Sequence, residues 1–197
     1  MTYTSSSTLK PAQVSESELL AAAAKDDQKA FRVLVNQYLP LVYNYLYRMT
    51  QNHELSEEMS QETFVKAYRN LKTFDCRRPF KPWLLRIAAN ATLSELRKQR
   101  KVVSLNALQE DGGFNEMEHQ VSEDMTLRLE QELDAHQVQQ ALNRLDEKYR
   151  NVLLLRYQQE LSYEEIASAM QTPLNTVRTW LKRGLEKFKD TIQEIAV

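Results

Sequence analysis

The residues with the most chemical content lie between 162 and 188, where Arg178, Thr179, Lys182, Arg183 and Lys187 follow one another along one stretch. Their guanidinium, ammonium and hydroxyl groups are donors suited to phosphates and to base edges. Arg pairs bidentately with guanine, while Lys and Thr serve phosphates or mixed contacts. A second concentration runs from Lys66 to Lys101 and holds Lys66, Arg69, Lys72, Arg77, Arg78, Lys81, Arg86, Arg97, Lys98, Arg100 and Lys101, against only Asp75 and Glu95. That segment could track a nucleic-acid backbone, with Phe80 and Trp83 available as ring partners for bases.

Catalytic chemistry finds no such support. Glu57 and Glu58 are the most suggestive acid pair for a metal, but adjacent helical residues point about 100 degrees apart and share one ion poorly. Three histidines and one cysteine, Cys76, form no ligand cluster. The Gly112-Gly113 pair is no phosphate-cradling loop. The chain is therefore read as a non-enzyme without metal or cofactor. A lone cysteine also excludes an internal disulfide and suits a reducing cytoplasm.

Elements that would position these residues follow from the pattern. With 3 Gly and 5 Pro in 197 residues, turns are scarce and long helices are favoured. No run approaches the ~20 apolar residues of a membrane span, and the Ser/Thr-rich residues 1–14 read as a loose tail, not a signal peptide. Ser15-Glu16-Ser17-Glu18 is a capping box opening a helix pair that breaks near Asp26-Asp27. Ser56 is expected to cap a third helix with the stripe Met59, Phe64 (with Val65), Ala67, Tyr68 and Leu71. A long helix should start near Pro79 to Pro82, carry Trp83, Leu84, Ile87, Ala88, Ala91 and Leu96 inward, and end near Lys101.

Residues 102–133 are then acidic, with Asp111-Gly112-Gly113 inside, and read as a linker. Residues 134–197 make a second compact unit. There Ser162-Tyr163-Glu164-Glu165 is another capping box, and Gln171-Thr172-Pro173 breaks the chain, with Thr172 as cap and Pro173 in the first helical position. The following helix turns Val177, Leu181, Leu185 and Phe188 inward. A short helix, a tight turn and a basic second helix make a helix-turn-helix, whose second helix enters the major groove. The plain alternative is an amphipathic helix pair with a solvated basic face. The fold expected is all-α: two small helical domains, 15–101 and 134–197, joined by an acidic flexible linker.

These residues also carry a family resemblance. Leu145-Asp146-Glu147-Lys148-Tyr149-Arg150, Val152-Leu153-Leu154-Leu155-Arg156, Leu161-Ser162-Tyr163-Glu164-Glu165-Ile166-Ala167 and Thr176-Val177-Arg178 resemble sigma-factor region four in order and spacing. In the first half, Ser56-Glu57-Glu58-Met59-Ser60-Gln61-Glu62-Thr63-Phe64 resembles the polymerase-binding helix of region two. Arg78-Pro79-Phe80-Lys81-Pro82-Trp83-Leu84-Leu85-Arg86-Ile87-Ala88-Ala89-Asn90, with Leu96-Arg97-Lys98-Gln99-Arg100, resembles the part that reads the minus-ten element. The family is the group IV, or extracytoplasmic-function (ECF), sigma factors. Three departures stand out: Gln171 replaces a turn glycine, Asn175 replaces another, and Trp180 sits where Arg is frequent.

The resemblance implies a sigma factor that binds core RNA polymerase, at the clamp of the beta-prime subunit, and directs promoter-specific initiation in the cytoplasm. It assigns Glu58, Met59, Gln61, Glu62 and Phe64 to polymerase binding. Asp75, Arg77, Arg78, Phe80, Lys81, Arg86, Asn90, Arg97, Lys98 and Arg100 go to the melted minus-ten strand. Thr176, Arg178, Thr179, Trp180, Lys182, Arg183 and Lys187 go to the minus-thirty-five element. It also implies an anti-sigma partner, and no direct membrane insertion. Two rivals stay open on residues alone. A stand-alone helix-turn-helix regulator explains the second unit but not Gln61-Glu62-x-Phe64. An enzyme acting on nucleic acid lacks a nucleophile-base set. The acidic linker reads equally as a soluble tether or as a nucleic-acid mimic inside the polymerase.

Overall fold

The computed structural model describes residues 15–104 and 135–195; beyond Leu96, side chains in the first stretch are described only for Lys98. The expected tail and all but the first residues of the expected linker lie outside the described residues. Every regular element among them is helical. The first unit holds α1 (Glu16–Ala23), α2 (Gln28–Thr50), α3 (His53–Asn70), a 3-10 turn at Leu71–Thr73 and α4 (Phe80–Ser104). The second holds α5 (Ala135–Arg144), α6 (Glu147–Leu153) with a π-helical turn at Leu154–Gln158, α7 (Tyr163–Met170) and α8 (Leu174–Ile195).

Local chemistry sets most of the helix ends. Ser15 and Glu18 close the expected capping box on α1. The chain then breaks at Asp26, which adopts a left-handed φ of 69°, and Asp27 caps α2 by accepting from the amides of Lys29 and Ala30. One expectation fails at α3. Its cap is Asn52, whose side chain accepts from the Leu55 amide at 3.0 Å. Ser56 is buried one turn inside, its hydroxyl donating to the Asn52 carbonyl at 2.6 Å. Asn52 caps as well as Ser does, so the earlier of two competent residues starts the helix. Helix α4 begins at Phe80 as expected and runs to Ser104, three residues past Lys101.

The core of the first unit packs α2 against α1, α3 and α4. Leu34, Val42, Leu46 and Met49 from α2 are fully covered, as are Leu84 and Ala88 from α4. Helix α4 also buries Leu85, Ala89 and Thr92 completely, a wider stripe than its period alone predicts. The reason is that α4 is covered twice, by α2 and α3 and by α7 of the second unit. In that unit α8 packs on α5, α6 and α7. Gly184 lets α8 come close to α6, since a Cβ there would lie 3.3 Å from Tyr149 Cβ.

The two helical units share one hydrophobic core. Helix α6 and its π-helical turn touch α2 while α7 lies on α4. The Tyr45 hydroxyl donates to Asn151 Oδ1 at 2.7 Å across this seam, with both residues wholly buried. Burial pushes the Tyr45 hydroxyl well above the ordinary phenol range, so it remains a donor.

Candidate nucleic-acid interface

Helix α7 is started by Ser162, whose hydroxyl accepts from the Glu165 amide at 3.2 Å while Glu165 Oε2 accepts from the Ser162 amide at 2.8 Å. It ends at Gln171 in the left-handed region, φ 52° and ψ 43°. Gln171 thus occupies the position that favours glycine, and an L side chain there costs about 1 kcal/mol. Gln171→Gly should therefore raise the melting temperature by about 2–4 °C, read by thermal circular dichroism. A lower melting temperature would mean the Gln171 side chain itself supports the turn. The turn closes one residue later than expected. Thr172 Oγ1 donates back to the Met170 carbonyl at 3.0 Å, and the Pro173 carbonyl takes the first α8 bond, from Val177 at 3.1 Å.

Across the turn, buried Ile166 of α7 lies in one core with Val177, Leu181 and Leu185 of α8. That fixes the outward face. Arg178 is exposed and 3.4 Å from Asn175 Oδ1. Thr179 donates its hydroxyl to the Asn175 carbonyl at 2.9 Å, which leaves the oxygen as an acceptor. Lys182 and Arg183 are half-buried along the same stretch, as is Thr176. Two expected readers sit elsewhere. Lys187 reaches sideways over the Tyr149 ring, 5.4 Å from its centroid, and Trp180 packs against the core. Trp180 is held there by packing, while Lys187 remains exposed.

In the first unit the loop before α4 is organised by Asp75. Its carboxylate accepts from the Arg77 amide at 3.2 Å, from Nε at 2.9 Å and from Nη2 at 3.0 Å. These bonds, with Arg78 4.0 Å away, hold its pKa down at about 2. The side chains of Arg77 and Arg78 are 89% and 77% exposed. Asp75 therefore positions cations and offers little free acceptor capacity of its own.

Phe80 requires a correction. It is fully buried against Tyr38, Phe74 and Trp83, at ring separations of 5.2, 5.8 and 5.5 Å, and it cannot stack on a base. Phe74 and Trp83, both partly buried and 4.7 Å apart, make the ring ledge beside the loop. Phe74 was missed because a lone Phe before a turn gives no periodic signal. Half-buried Arg86 and exposed Asn90 stand one helical turn apart on α4. Lys81 is half-buried, Lys98 is paired with Glu95 at 3.3 Å, and the side chains of Arg97 and Arg100 lie outside the described residues.

Among the exposed residues of α3, Glu58, Gln61, Glu62 and Val65 form an i, i+3, i+4, i+7 row. Val65 is 48% exposed, although the apolar pattern groups it with Phe64. Met59 and Phe64 are buried, at 3% and 6%, which corrects their assignment to a docking surface. They point inward from the same helix and hold the row in place. Glu62 is tied to Lys66 at 2.6 Å.

Comparison with known proteins matches two family models to this chain: Sigma-70 region 2 over residues 34–102 and Sigma-70, region 4, over residues 135–188. The chain is 34% identical to the ECF RNA polymerase sigma factor SigW of Bacillus subtilis over 177 residues, 87% of this chain and 93% of that protein. It is 31% identical to the RNA polymerase sigma-H factor of Pseudomonas aeruginosa, over 93% of this chain and 96% of that one. Among solved structures, CnrH in complex with the cytosolic domain of CnrY superposes with a TM-score of 0.66 at 23% identity, covering 91% of this chain and 97% of that one. The sigma factor RpoE in complex with the anti-sigma factor NepR from Bartonella quintana gives 0.64 at 22%, covering 84% and 98%. At those identities the superpositions establish the fold.

Proposed function

This chain belongs to the ECF RNA polymerase sigma factors, the promoter-specific factors of transcription, and we propose that it binds core RNA polymerase and reads a promoter at two separate elements. The observation that carries the reading is the arrangement of three faces on one chain. An exposed acidic row lies on α3, cations line the loop before α4, and a basic face covers α8.

Each face has a role that its chemistry supports. Glu58, Gln61 and Glu62, with Val65 among them, form the docking row for the polymerase clamp, a helix face with one apolar contact and charged flanks. Arg77 and Arg78, together with Arg86 and Asn90, hold the backbone of the melted minus-ten strand. Phe74 and Trp83 offer ring surface for an unstacked base. Arg178, Thr179, Lys182 and Arg183 meet the major groove of the minus-thirty-five element. No step is catalytic: binding to polymerase brings the two DNA-facing surfaces to the promoter, which then opens.

The free protein binds DNA weakly, since its net charge is -1 and affinity for DNA follows the phosphates neutralised. The same reading places the protein in the cytoplasm and gives it an anti-sigma partner, the class of molecule bound to RpoE in the NepR complex.

The test is co-elution with bacterial core polymerase on size exclusion. The wild type should form a stable complex, and Glu58→Ala/Gln61→Ala/Glu62→Ala should bind about 100-fold more weakly, the loss of three contacts at about 1 kcal/mol each. All three side chains are exposed, so the variant should melt like the wild type. No complex with wild type, where a known sigma factor binds, would overturn the reading in favour of a stand-alone helix-turn-helix regulator.

A further inference from the structure

Helix α1 belongs to none of the three faces, and the match to region 2 begins at residue 34, after α1 has ended. One polar bond nevertheless ties α1 to the rings before α4. The Tyr38 hydroxyl, on α2, donates to Glu16 Oε2 at the first position of α1. Tyr38 is buried, at 8% exposure, and Glu16 is half-buried. A buried phenol needs a partner for its hydroxyl, and a carboxylate makes that bond charge-assisted. Burial pushes the Tyr38 hydroxyl well above the ordinary phenol range, so it stays a donor. Buried Leu20 and Ala23 hold α1 against α2, so the acceptor is anchored as well.

The ring of Tyr38 faces the other way and meets Phe80 edge-on at 5.2 Å. Phe80 in turn meets Phe74 edge-on at 5.8 Å and Trp83 at 5.5 Å. Phe80 carries no polar group, so only the surfaces packed around it fix the position of its ring. Phe74 and Trp83 come from the loop and from α4, the two parts whose spacing sets the ledge. Tyr38 supplies the wall from α2, and its bond to Glu16 fixes that wall to α1. Side chains that hold a ligand must be placed to within about 0.5 Å. A phenol released from Glu16 would let Phe80, and with it the ledge, settle differently.

We propose that Tyr38, locked by Glu16, is a positioning residue for base capture: acting through Phe80, it fixes the Phe74–Trp83 ledge at the spacing that an unstacked base of the opened strand requires. The inference rests on the function proposed above, in which that ledge receives the base.

The test uses the full chain and a short thymidylate strand carrying one 2-aminopurine, whose fluorescence falls when it stacks on a ring. Stacking on aromatic side chains tolerates any base. Wild type should quench the probe, and Trp83→Ala should not. Tyr38→Phe keeps the ring and loses the bond; it should bind about fivefold more weakly, the low end of what one stacked base contributes. Glu16→Ala should match it, and the double variant should be no weaker than either alone, since both remove the same bond. Glu16→Gln keeps an acceptor and should restore most of the binding. The slope of affinity against salt should be the same in every variant, because Arg77 and Arg78 still meet the phosphates. A lower slope in Tyr38→Phe would mean that the loop cations had moved too, and would overturn the proposal. Wild-type affinity in Tyr38→Phe, or additive losses in the double variant, would also overturn it. Glu16→Ala leaves every ring in place and carries the test if Tyr38→Phe does not fold. No quenching by the wild type, or undiminished quenching by Trp83→Ala, would instead remove the base-holding role of the ledge itself, and the proposal with it.

Discussion

Phe80→Ala should lower the unfolding free energy by about 3–5 kcal/mol, the cost of emptying a fully buried aromatic site. The ring is wholly covered and touches Tyr38, Phe74 and Trp83. These rings come from α2, the loop and α4, so its loss loosens three elements together. Against a total stability of roughly 5–15 kcal/mol, the melting temperature should drop by roughly 6–20 °C. Thermal and urea unfolding followed by circular dichroism would measure it. The experiment also decides between two roles. A base-stacking Phe80 would leave melting unchanged and impair only promoter opening. In contrast, Trp83, partly buried at the edge of the same cluster, should show the larger effect on opening relative to its effect on stability.

The second large effect is expected at Arg150. Its guanidinium donates to the carbonyls of Leu142 at 2.8 Å, Asn143 at 2.8 Å, Leu145 at 3.3 Å and Met49 at 2.7 Å. It therefore closes the turn between α5 and α6 and grips the end of α2 in one fork. Arg150→Met keeps the stem and removes every donor, so that three part-buried carbonyls each lose a hydrogen bond, at about 1 kcal/mol each. A loss of about 3 kcal/mol is expected in urea unfolding. Arg150→Lys should recover only about a third, because one ammonium on a flexible stem cannot serve carbonyls spread over two helices. Full recovery by Lys would show that charge alone matters and that the fork geometry does not.

Much of this molecule is written within a few residues of each feature. The capping boxes at Ser15–Glu18 and Ser162–Glu165 and the Asp27 cap of α2 depend on bonds that span no more than three positions. The helix-turn-helix is legible for the same reason. The inward set Val177, Leu181 and Leu185 and the outward set Arg178 and Lys182 are separated by the helical period itself. Even the failure at Ser56 is local, since two competent caps stood four residues apart.

What residues so spaced cannot reveal is which apolar or cationic side chain a distant element will cover. Met59 and Phe64 look like contact residues beside Glu58 and Glu62, but α3 turns them inward. Phe80 looks like a stacking ring and is enclosed by Tyr38 from 42 positions earlier. Leu85 and Ala89 lie outside the expected stripe of α4 and are buried in a helix that α7 also covers. Tyr45 finds its partner 106 residues away. Periodicity ranks the faces of one helix by polarity, an intrinsic property of its own residues. Burial and pairing belong to the surface a second helix presents. The chemistry of each face was therefore set by composition, while the choice of exposed face, and the seam joining the two units, came from tertiary packing.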